Sequence, residues 1–315
     1  MITIVALNPC IDWQYTVPTY THGEMNRVRR TYQGAASKGM NAAIVLKNLG
    51  ENPLCLGFNF TEGGEKITQK LNALNIPHNF ENIEGAVRIN IKLYEESTGI
   101  MTELNQPGEF VTPQYVNTLT EKLKTSTTTD ILVLSGSLPP GISTNIYAEF
   151  CNLWKGKVFL DAEGEALRTA LISKKPPFAI KPNLSELERT FDVKLSTPKE
   201  IATFCHSKIF NNNAPSLVCV SMGASGAVLV TPASAYYCPA LKVEAKGVQG
   251  AGDSMVAGLI HGILNNLPPQ ELLRYAIAAA SASVILEGTE LCQLADFNKM
   301  LKKLPKNLDS VFPLD

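Results

Sequence analysis

The sequence has 315 residues, of which 45% are hydrophobic, and its 28 basic and 29 acidic side chains nearly cancel. This length and apolar content predict a folded α/β chain with a substantial core, which excludes a disordered or fibrous protein. The balanced charge argues against a surface for nucleic acid or anionic membranes. No basic leader precedes the first apolar run, and no run approaches the roughly 18 residues of a membrane span, so we expect a cytoplasmic protein.

Cysteine and histidine give no metal or disulfide pattern. The seven cysteines are scattered, odd in number and never spaced as C-x-x-C. The four histidines are equally dispersed, with no H-E-x-x-H pair. We therefore expect neither disulfides, nor structural zinc, nor a histidine-bound transition metal.

Short apolar runs alternate with helical patterns along the chain. The predicted strands, which are typical of strands buried on both faces of a sheet, span residues 2–7, 130–136, 157–161, 178–181 and 216–221. The predicted helices span residues 41–50, 65–75, 144–154, 185–191, 253–266 and 271–288. This alternation predicts a doubly wound, mostly parallel α/β sheet flanked by helices.

Two segments have instead the two-residue period of strands with one polar face. In residues 11–17 the polar row begins at Asp12, and in residues 87–104 it contains Arg88 and Asn90. We expect the two segments to pair as a small sheet whose polar face points at a ligand, which makes it a candidate lid.

Ligands of open parallel sheets bind at the carboxyl ends of the strands. Polar or glycine-rich sequence follows each predicted strand, at Asn8, residues 136–141, Asp161, residues 182–186 and residues 222–226. Any one of these could simply be a polar loop. Their coincidence at the same edge of the sheet predicts a binding site there.

Residues 250–253 read Gly-Ala-Gly-Asp at the start of the helix predicted over 253–266. Small residues let backbone amides approach an anion, and a helix N-terminus carries about half a positive charge. Asp253 could take a proton from a hydroxyl that attacks phosphorus, or it could cap the helix. The spacing alone does not choose between these roles. No phosphate-binding loop of the G-x-x-x-x-G-K-[ST] type and no G-x-G-x-x-G after the first strand is present.

Lys38 and Asn41 stand three residues apart near a helix start, hence on one helix face. A lysine there is mildly unfavourable beside the positive helix end unless an anion is bound. The pair could hold a phosphate or a sugar hydroxyl, or Lys38 could be a solvated surface residue.

Six segments, in order, resemble the ribokinase-like sugar kinases of the PfkB type: LNPCID (7–12), KGMN (38–41), SGSLPPG (135–141), KPNLSE (181–186), SMGASGA (221–227) and GAGDSMVAG (250–258). The resemblance covers nearly the whole chain and implies one ribokinase-like domain over residues 1–315, with a lid sheet at about 11–30 and 86–105. It also implies ATP and Mg²⁺ as cofactors. Within the family, residues 7–12, 88–93 and 102–108 are most similar to kinases of ketohexose phosphates, so the implied substrate is fructose 1-phosphate, with tagatose 6-phosphate as the alternative.

The resemblance also implies a role for individual residues. Asp253 would be the general base, and the amides of Gly250, Ala251, Gly252 and Asp253 would form an anion hole. The sugar phosphate would be bound by Asp12, Lys38, Asn41, Arg88, Asn90 and Ser137. The nucleotide would be bound by Lys181, Ser221, Gly223 and Gly226. Asn183 and Glu186 would hold Mg²⁺ through water, and the lid sheet would form a homodimer interface.

The sequence departs from the family pattern at two positions. Ser37 stands where the family has a glycine that accompanies lid closure, and Val248 stands where it usually has threonine. These departures motivate an alternative of a different class, a sugar-phosphate-binding protein that has lost turnover. Retention of Asp253, Asn183 and Glu186 argues against that alternative.

Overall fold

The computed structural model describes residues 2–126, 131–210, 215–247, 249–288 and 290–311. Asp130, with which one predicted strand begins, and Val248 lie outside these ranges. The described strands are β1 (Ile2–Ala6), β2 (Cys10–Val17), β3 (Arg30–Ala36), β4 (Pro53–Glu62), β5 (His78–Ala86), β6 (Arg88–Glu95), β7 (Met101–Asn105), β8 (Ile131–Ser135), β9 (Lys157–Asp161), β10 (Ala179–Ile180), β11 (Leu217–Ser221), β12 (Ala227–Thr231) and β13 (Ser234–Cys238). The described α-helices are α1 (Lys38–Asn48), α2 (Gly64–Ala73), α3 (Pro113–Thr125), α4 (Ile146–Leu153), α5 (Gly164–Leu171), α6 (Leu184–Phe191), α7 (Pro198–Phe204), α8 (Ala251–Leu264), α9 (Pro269–Val284) and α10 (Leu294–Lys303).

Nine strands form the large sheet, in the order β13-β12-β11-β10-β9-β8-β1-β4-β5. Neighbours from β11 to β5 pair in parallel, whereas β12 and β13 continue the sheet as an antiparallel hairpin. Every residue of β1 and β8 is buried, as expected of strands covered on both faces. The predicted mostly parallel α/β fold is confirmed.

Element boundaries differ from the prediction where a cap decides them. The helix predicted from residue 41 begins at Lys38, because the Ser37 hydroxyl accepts a hydrogen bond from the Met40 amide at 3.0 Å. The helix predicted from residue 253 begins at Ala251, after Gly250 as its N-cap. The strand predicted over 178–181 is reduced to the two residues of β10.

A separate sheet has the strand order β3-β2-β6-β7, and we call it the small sheet. The two predicted segments pair in it, with β2 parallel to β6 and Asp12 opposite Asn90. The polar row is the buried one, since Asp12 is only 3% exposed and Asn90 7%. Trp13 and Leu93, on the opposite face, are partly exposed. The small sheet therefore turns its polar face inward, over a cleft instead of an apolar core.

Two further expectations concern membranes and cysteines. Within the described ranges, no helix has the length and apolar character that crossing a bilayer requires. All seven cysteines are buried and free, so the expected lack of disulfides agrees with the fold.

Candidate active site

A cleft of about 1620 Å³ lies between the carboxyl ends of the large-sheet strands and the polar face of the small sheet. Every site residue predicted from the sequence contributes to its lining. The first residues of three helices, α1, α6 and α8, also lie in this lining. The strand-end loops thus meet at one place, as the strand order requires.

The start of α8 forms one end of the cleft. Gly250 has a φ of +72°, in the left-handed region that favours glycine, and a Cβ there would displace the Leu291 Cδ2 atom, which would lie 2.4 Å away. Asp253 is the third residue of the helix, and its Oδ2 accepts a hydrogen bond from the Asn41 Nδ2 atom at 2.8 Å. The capping alternative for Asp253 is therefore wrong, because Gly250 occupies the cap position.

The Asp253 carboxyl is buried within this lining. Burial, followed by the nearby negative charge of Asp161, raises its pKa to about 6, while Lys38 and the hydrogen bond from Asn41 act in the opposite direction. At neutral pH the group is mostly ionised yet able to accept a proton. These are the properties of a general base.

Two lysines and two carboxylates form a charged cluster beside α8. The Lys38 Nζ atom lies 3.5 Å from Asp161 Oδ1 and 3.2 Å from Glu186 Oε1, and Lys181 Nζ lies 3.5 Å from the same Asp161 oxygen. Burial alone would raise the pKa of the Asp161 carboxyl, but Lys181 and Lys38 hold it below its ordinary value. Asp161 in turn raises the pKa of the Lys38 ammonium despite its burial. Lys38 is therefore held as a cation.

This cluster lies next to the backbone of Gly252. A Cβ placed on Gly252 would lie 3.6 Å from the Lys181 Nζ atom. The ammonium and the N-terminal amides of α8 thus face the same space, and both attract negative charge. The arrangement fits a phosphate group.

Asn183 and Glu186 form a reciprocal cap at the start of α6. Asn183 Oδ1 accepts from the Glu186 amide at 2.8 Å, and Glu186 Oε2 accepts from the Asn183 amide at 2.8 Å. Glu186 Oε1 accepts from Lys38. Across the described ranges, no group of three or more His, Cys, Asp or Glu side chains is arranged to hold a metal ion. The side-chain oxygens of Asn183 and Glu186 thus already accept hydrogen bonds from protein donors.

Asp12 is the centre of the small-sheet wall. Its Oδ1 accepts from the Asn90 Nδ2 atom at 3.2 Å, and its Oδ2 lies 3.1 Å from the Lys92 Nζ atom. The side-chain amide of Gln249 also donates to Oδ2. The sequence analysis did not assign a role to Lys92 or Gln249. The alternation that placed Arg88 and Asn90 on one face was a usable signal for Lys92, whereas the contact of Gln249 had no local signal.

Arg88 is bound differently from the other cations. Its Nε and Nη2 atoms donate to the Asn8 carbonyl at 3.2 and 3.1 Å, and Nη1 donates to the Gln106 carbonyl at 3.0 Å and to Asn90 Oδ1 at 3.2 Å. Among the described residues no carboxylate forms an ion pair with it. The other lysines and arginines of the lining all have such a partner: Lys38, Lys92, Lys181 and Arg189. Arg88 thus has positive charge available for a ligand.

The remaining predicted residues lie on the rim. Ser221 ends β11 and forms a β-bridge with Asn183. Gly226 has a φ of +100°, and a Cβ there would collide with the Cys238 carbonyl oxygen, so the turn after β11 requires glycine. Gly223 has open space around its Cα. The exposed Ser137 accepts a hydrogen bond from the Asn8 Nδ2 atom at 3.2 Å.

Known proteins are similar to this chain in both sequence and fold. The 1-phosphofructokinase of Bacillus subtilis is 34% identical over 295 residues, which cover 92% of this chain and 95% of that protein. A tagatose-6-phosphate kinase of Staphylococcus epidermidis is 30% identical over 309 residues, 96% of this chain and 98% of that protein. The structure of phosphofructokinase-2 from Escherichia coli in complex with substrates and products superposes with a TM-score of 0.87 and 26% identity, covering 96% of this chain and 99% of that one.

The family assignment follows from a match over nearly the whole chain. The model of the pfkB family carbohydrate kinases matches residues 1–296, which include all six motifs. The resemblance read from the sequence is therefore confirmed, and with it the expectation of a kinase. The chain belongs to the pfkB family of carbohydrate kinases.

Proposed function

We propose that the protein transfers the terminal phosphoryl group of ATP to fructose 1-phosphate, giving fructose 1,6-bisphosphate. The names of the relatives have one activity in common, which is phosphorylation of a ketohexose phosphate. One observation carries the proposal: a buried carboxylate, Asp253, lies at a helix start in the same cleft as two fixed lysines and an arginine without a carboxylate partner. The three cations can bind the phosphate groups of ATP and of the sugar, and the carboxylate can accept the proton of the attacking hydroxyl.

Asp253 is proposed as the general base. Asn41 holds its Oδ2 atom, which leaves Oδ1 to accept the proton of the attacking hydroxyl. The hydroxyl oxygen then bonds to the terminal phosphorus, and the bond to the bridging oxygen of ADP breaks. The amides of Gly250, Ala251, Gly252 and Asp253, together with Lys181, stabilise the charge on the transferred group.

The sugar phosphate is assigned to the small-sheet wall. Arg88, whose positive charge is paired with no carboxylate of the described residues, would bind the phosphate ester. Asp12 and Asn90 would form the floor of the sugar subsite, with Ser137 at its rim. Because Lys38 is paired with Asp161 and Glu186, we place it near the transferred phosphoryl group instead of the sugar phosphate.

The nucleotide is assigned to the end of β11. Ser221, Gly223 and Gly226 would line its subsite, and Lys181 would contact its phosphates. Mg²⁺ would arrive with ATP and lie near Asn183 and Glu186, separated from them by water. When bound, it would neutralise phosphate charge.

We further propose a homodimer through the outer face of the small sheet. That face carries Trp13, Ile91 and Leu104 in one cross-strand row, and Leu104 is 63% exposed. Apolar rows of this kind on a sheet favour a second copy as cover. Leu104→Lys should weaken dimerisation at least about tenfold in sedimentation velocity, whereas Ile172→Lys, at an apolar site 81% exposed elsewhere, should not. A monomeric wild-type protein at micromolar concentration contradicts the proposal.

The test of the reaction is a coupled assay of ADP release with ATP and Mg²⁺. The sugars are fructose 1-phosphate, fructose 6-phosphate, tagatose 6-phosphate and ribose. We expect the highest kcat/KM with fructose 1-phosphate. A higher value with tagatose 6-phosphate would assign the protein to that substrate. Binding of fructose 1-phosphate without ADP formation with any sugar would make it a sensor.

A further inference from the structure

Gln249 connects the two walls of the cleft. It directly precedes Gly250, so it belongs to the segment that leads into α8. Its Nε2 atom donates to Oδ2 of Asp12, which lies on β2, 237 residues earlier in the chain. The reverse amide orientation would place an oxygen against the carboxylate, so this contact fixes which way the side chain points.

The other end of the same amide has no partner. Gln249 Oε1 is buried and accepts no hydrogen bond from the residues that the structure describes. The residue lines the cleft. A buried acceptor without a donor is unfavourable. A ligand that brings a donor to this position would remove that cost.

Asp12 itself has little capacity left for a new donor. Its Oδ1 accepts from Asn90 and from the Cys10 thiol at 3.4 Å, and its Oδ2 is shared by Lys92 and Gln249. Beside Asp12, the amide oxygen of Gln249 is therefore an acceptor that no donor of the described residues satisfies. Asp12 acts as its fixed support.

We propose that Gln249 is a specificity-determining residue whose side-chain oxygen accepts a hydrogen bond from a hydroxyl of the sugar phosphate. The inference rests on the proposed function, since it places the sugar on the small-sheet side of the cleft. In this proposal Lys92 and Asn90 hold Asp12 in place, and Asp12 orients the Gln249 side chain. A site that hydrogen-bonds a substrate hydroxyl rejects analogues that lack it.

The first test compares Gln249→Leu with the wild-type enzyme. The KM for fructose 1-phosphate should rise about 10- to 30-fold, and the KM for ATP should stay within about twofold. Gln69→Leu, the same change on the exposed face of α2, should alter neither. Equal changes in both KM values, or no change in that for the sugar, would overturn the proposal. Gln249→Asn, which keeps a shorter amide, should fall between and guards against a folding defect of the leucine variant.

The second test separates contact with the sugar from simple support of the loop. The substrates are fructose 1-phosphate and its analogues lacking the C3 or the C4 hydroxyl. One analogue should lose about tenfold in kcat/KM with wild-type enzyme but no more than about twofold with Gln249→Leu, because the partner is already gone. If both enzymes lose the same factor with both analogues, Gln249 does not touch the sugar.

Calorimetric binding of fructose 1-phosphate distinguishes failure of this inference from failure of the proposed function. If the wild-type enzyme binds this sugar without phosphorylating it, the proposed function fails. The ratio of Kd values for Gln249→Leu and wild type still tests Gln249, with a rise of about 10- to 30-fold expected. A ratio near one overturns the inference whatever the catalytic result.

Discussion

The two walls of the cleft are built in different ways. On the large-sheet wall, charged side chains stand at strand ends and helix starts, where Lys38 and Lys181 form ion pairs with Asp161, and Lys38 also with Glu186. On the small-sheet wall, polar side chains project from the face of β2 and β6, and Arg88 forms no ion pair with any carboxylate in the described part of the chain. In the proposed function, the first wall provides the charges for phosphoryl transfer and the second recognises the sugar phosphate. Changes in the first should affect kcat and ATP, and changes in the second should affect the sugar.

The largest effect is expected from Asp253→Asn on the large-sheet wall. Without a carboxylate to accept the hydroxyl proton, kcat should fall by about 1000-fold, with the KM for fructose 1-phosphate little changed. Asp296→Asn is the matched control, because Asp296 is also the third residue of a helix, α10. Single-turnover phosphoryl transfer is the measurement. Unchanged turnover in Asp253→Asn would remove this carboxylate from the chemistry.

Arg88→Met should have the next largest effect and should act on the opposite wall. Loss of this charged contact should raise the KM for fructose 1-phosphate by about 30-fold, while the KM for ATP stays within about twofold. Arg189→Met is the control, since Arg189 also lines the cleft but is paired with Glu163. An Arg88→Met variant that loses ATP affinity instead would abolish the distinction between the walls.

Lys181→Met, on the large-sheet wall, should impair the binding of ATP. We expect the KM for ATP to rise by about tenfold, from the loss of one charged contact to phosphate. Lys92→Met removes an equally buried lysine from the small-sheet wall and should raise the KM for the sugar. Steady-state titration of each substrate at saturating concentration of the other measures both. If both variants raise the KM of the same substrate, the proposed division of roles between the two walls is wrong.

The last prediction concerns the dependence of kcat on pH, which reflects only the large-sheet wall. Because the pKa of Asp253 is raised to about 6, its reactive ionised form is nearly complete above pH 7 and falls as the pH drops through 6. At pH 5 kcat should be about tenfold lower than at pH 8. Binding of the sugar phosphate, measured by calorimetry, should follow the ionisation of its phosphate and not this profile. A flat kcat profile down to pH 5 would contradict the assignment.

The parts that the sequence predicted well depend on local patterns. Buried parallel strands produce continuous apolar runs, and their carboxyl ends must meet at one edge, so the residues around Lys181 and Asp253 could be placed together. Strands with less regular patterns were missed. The residues of β5, at one edge of the large sheet, do not follow the two-residue period of a half-buried strand, so this strand does not stand out in the sequence.

The parts that could not be predicted depend on contacts between distant segments. The bond of Gln249 to Asp12 joins a loop before α8 to a strand near the start of the chain. The alternation in β2 predicts that one face is polar. That this face is buried follows from its position over the cleft, which the local sequence does not show. Ser37, which seemed only a departure from a family glycine, proved to be the cap that starts α1.

The three helices that begin at the cleft have a consequence for encounter with substrate. Each contributes about half a positive charge at its start, so the places where α1, α6 and α8 begin are positive spots within a cleft whose lining also carries carboxylates such as Asp12 and Asp161. Low-dielectric walls focus such a field and draw anions inward. Raising the ionic strength should therefore slow productive collisions well before it disturbs bond making within the bound complex.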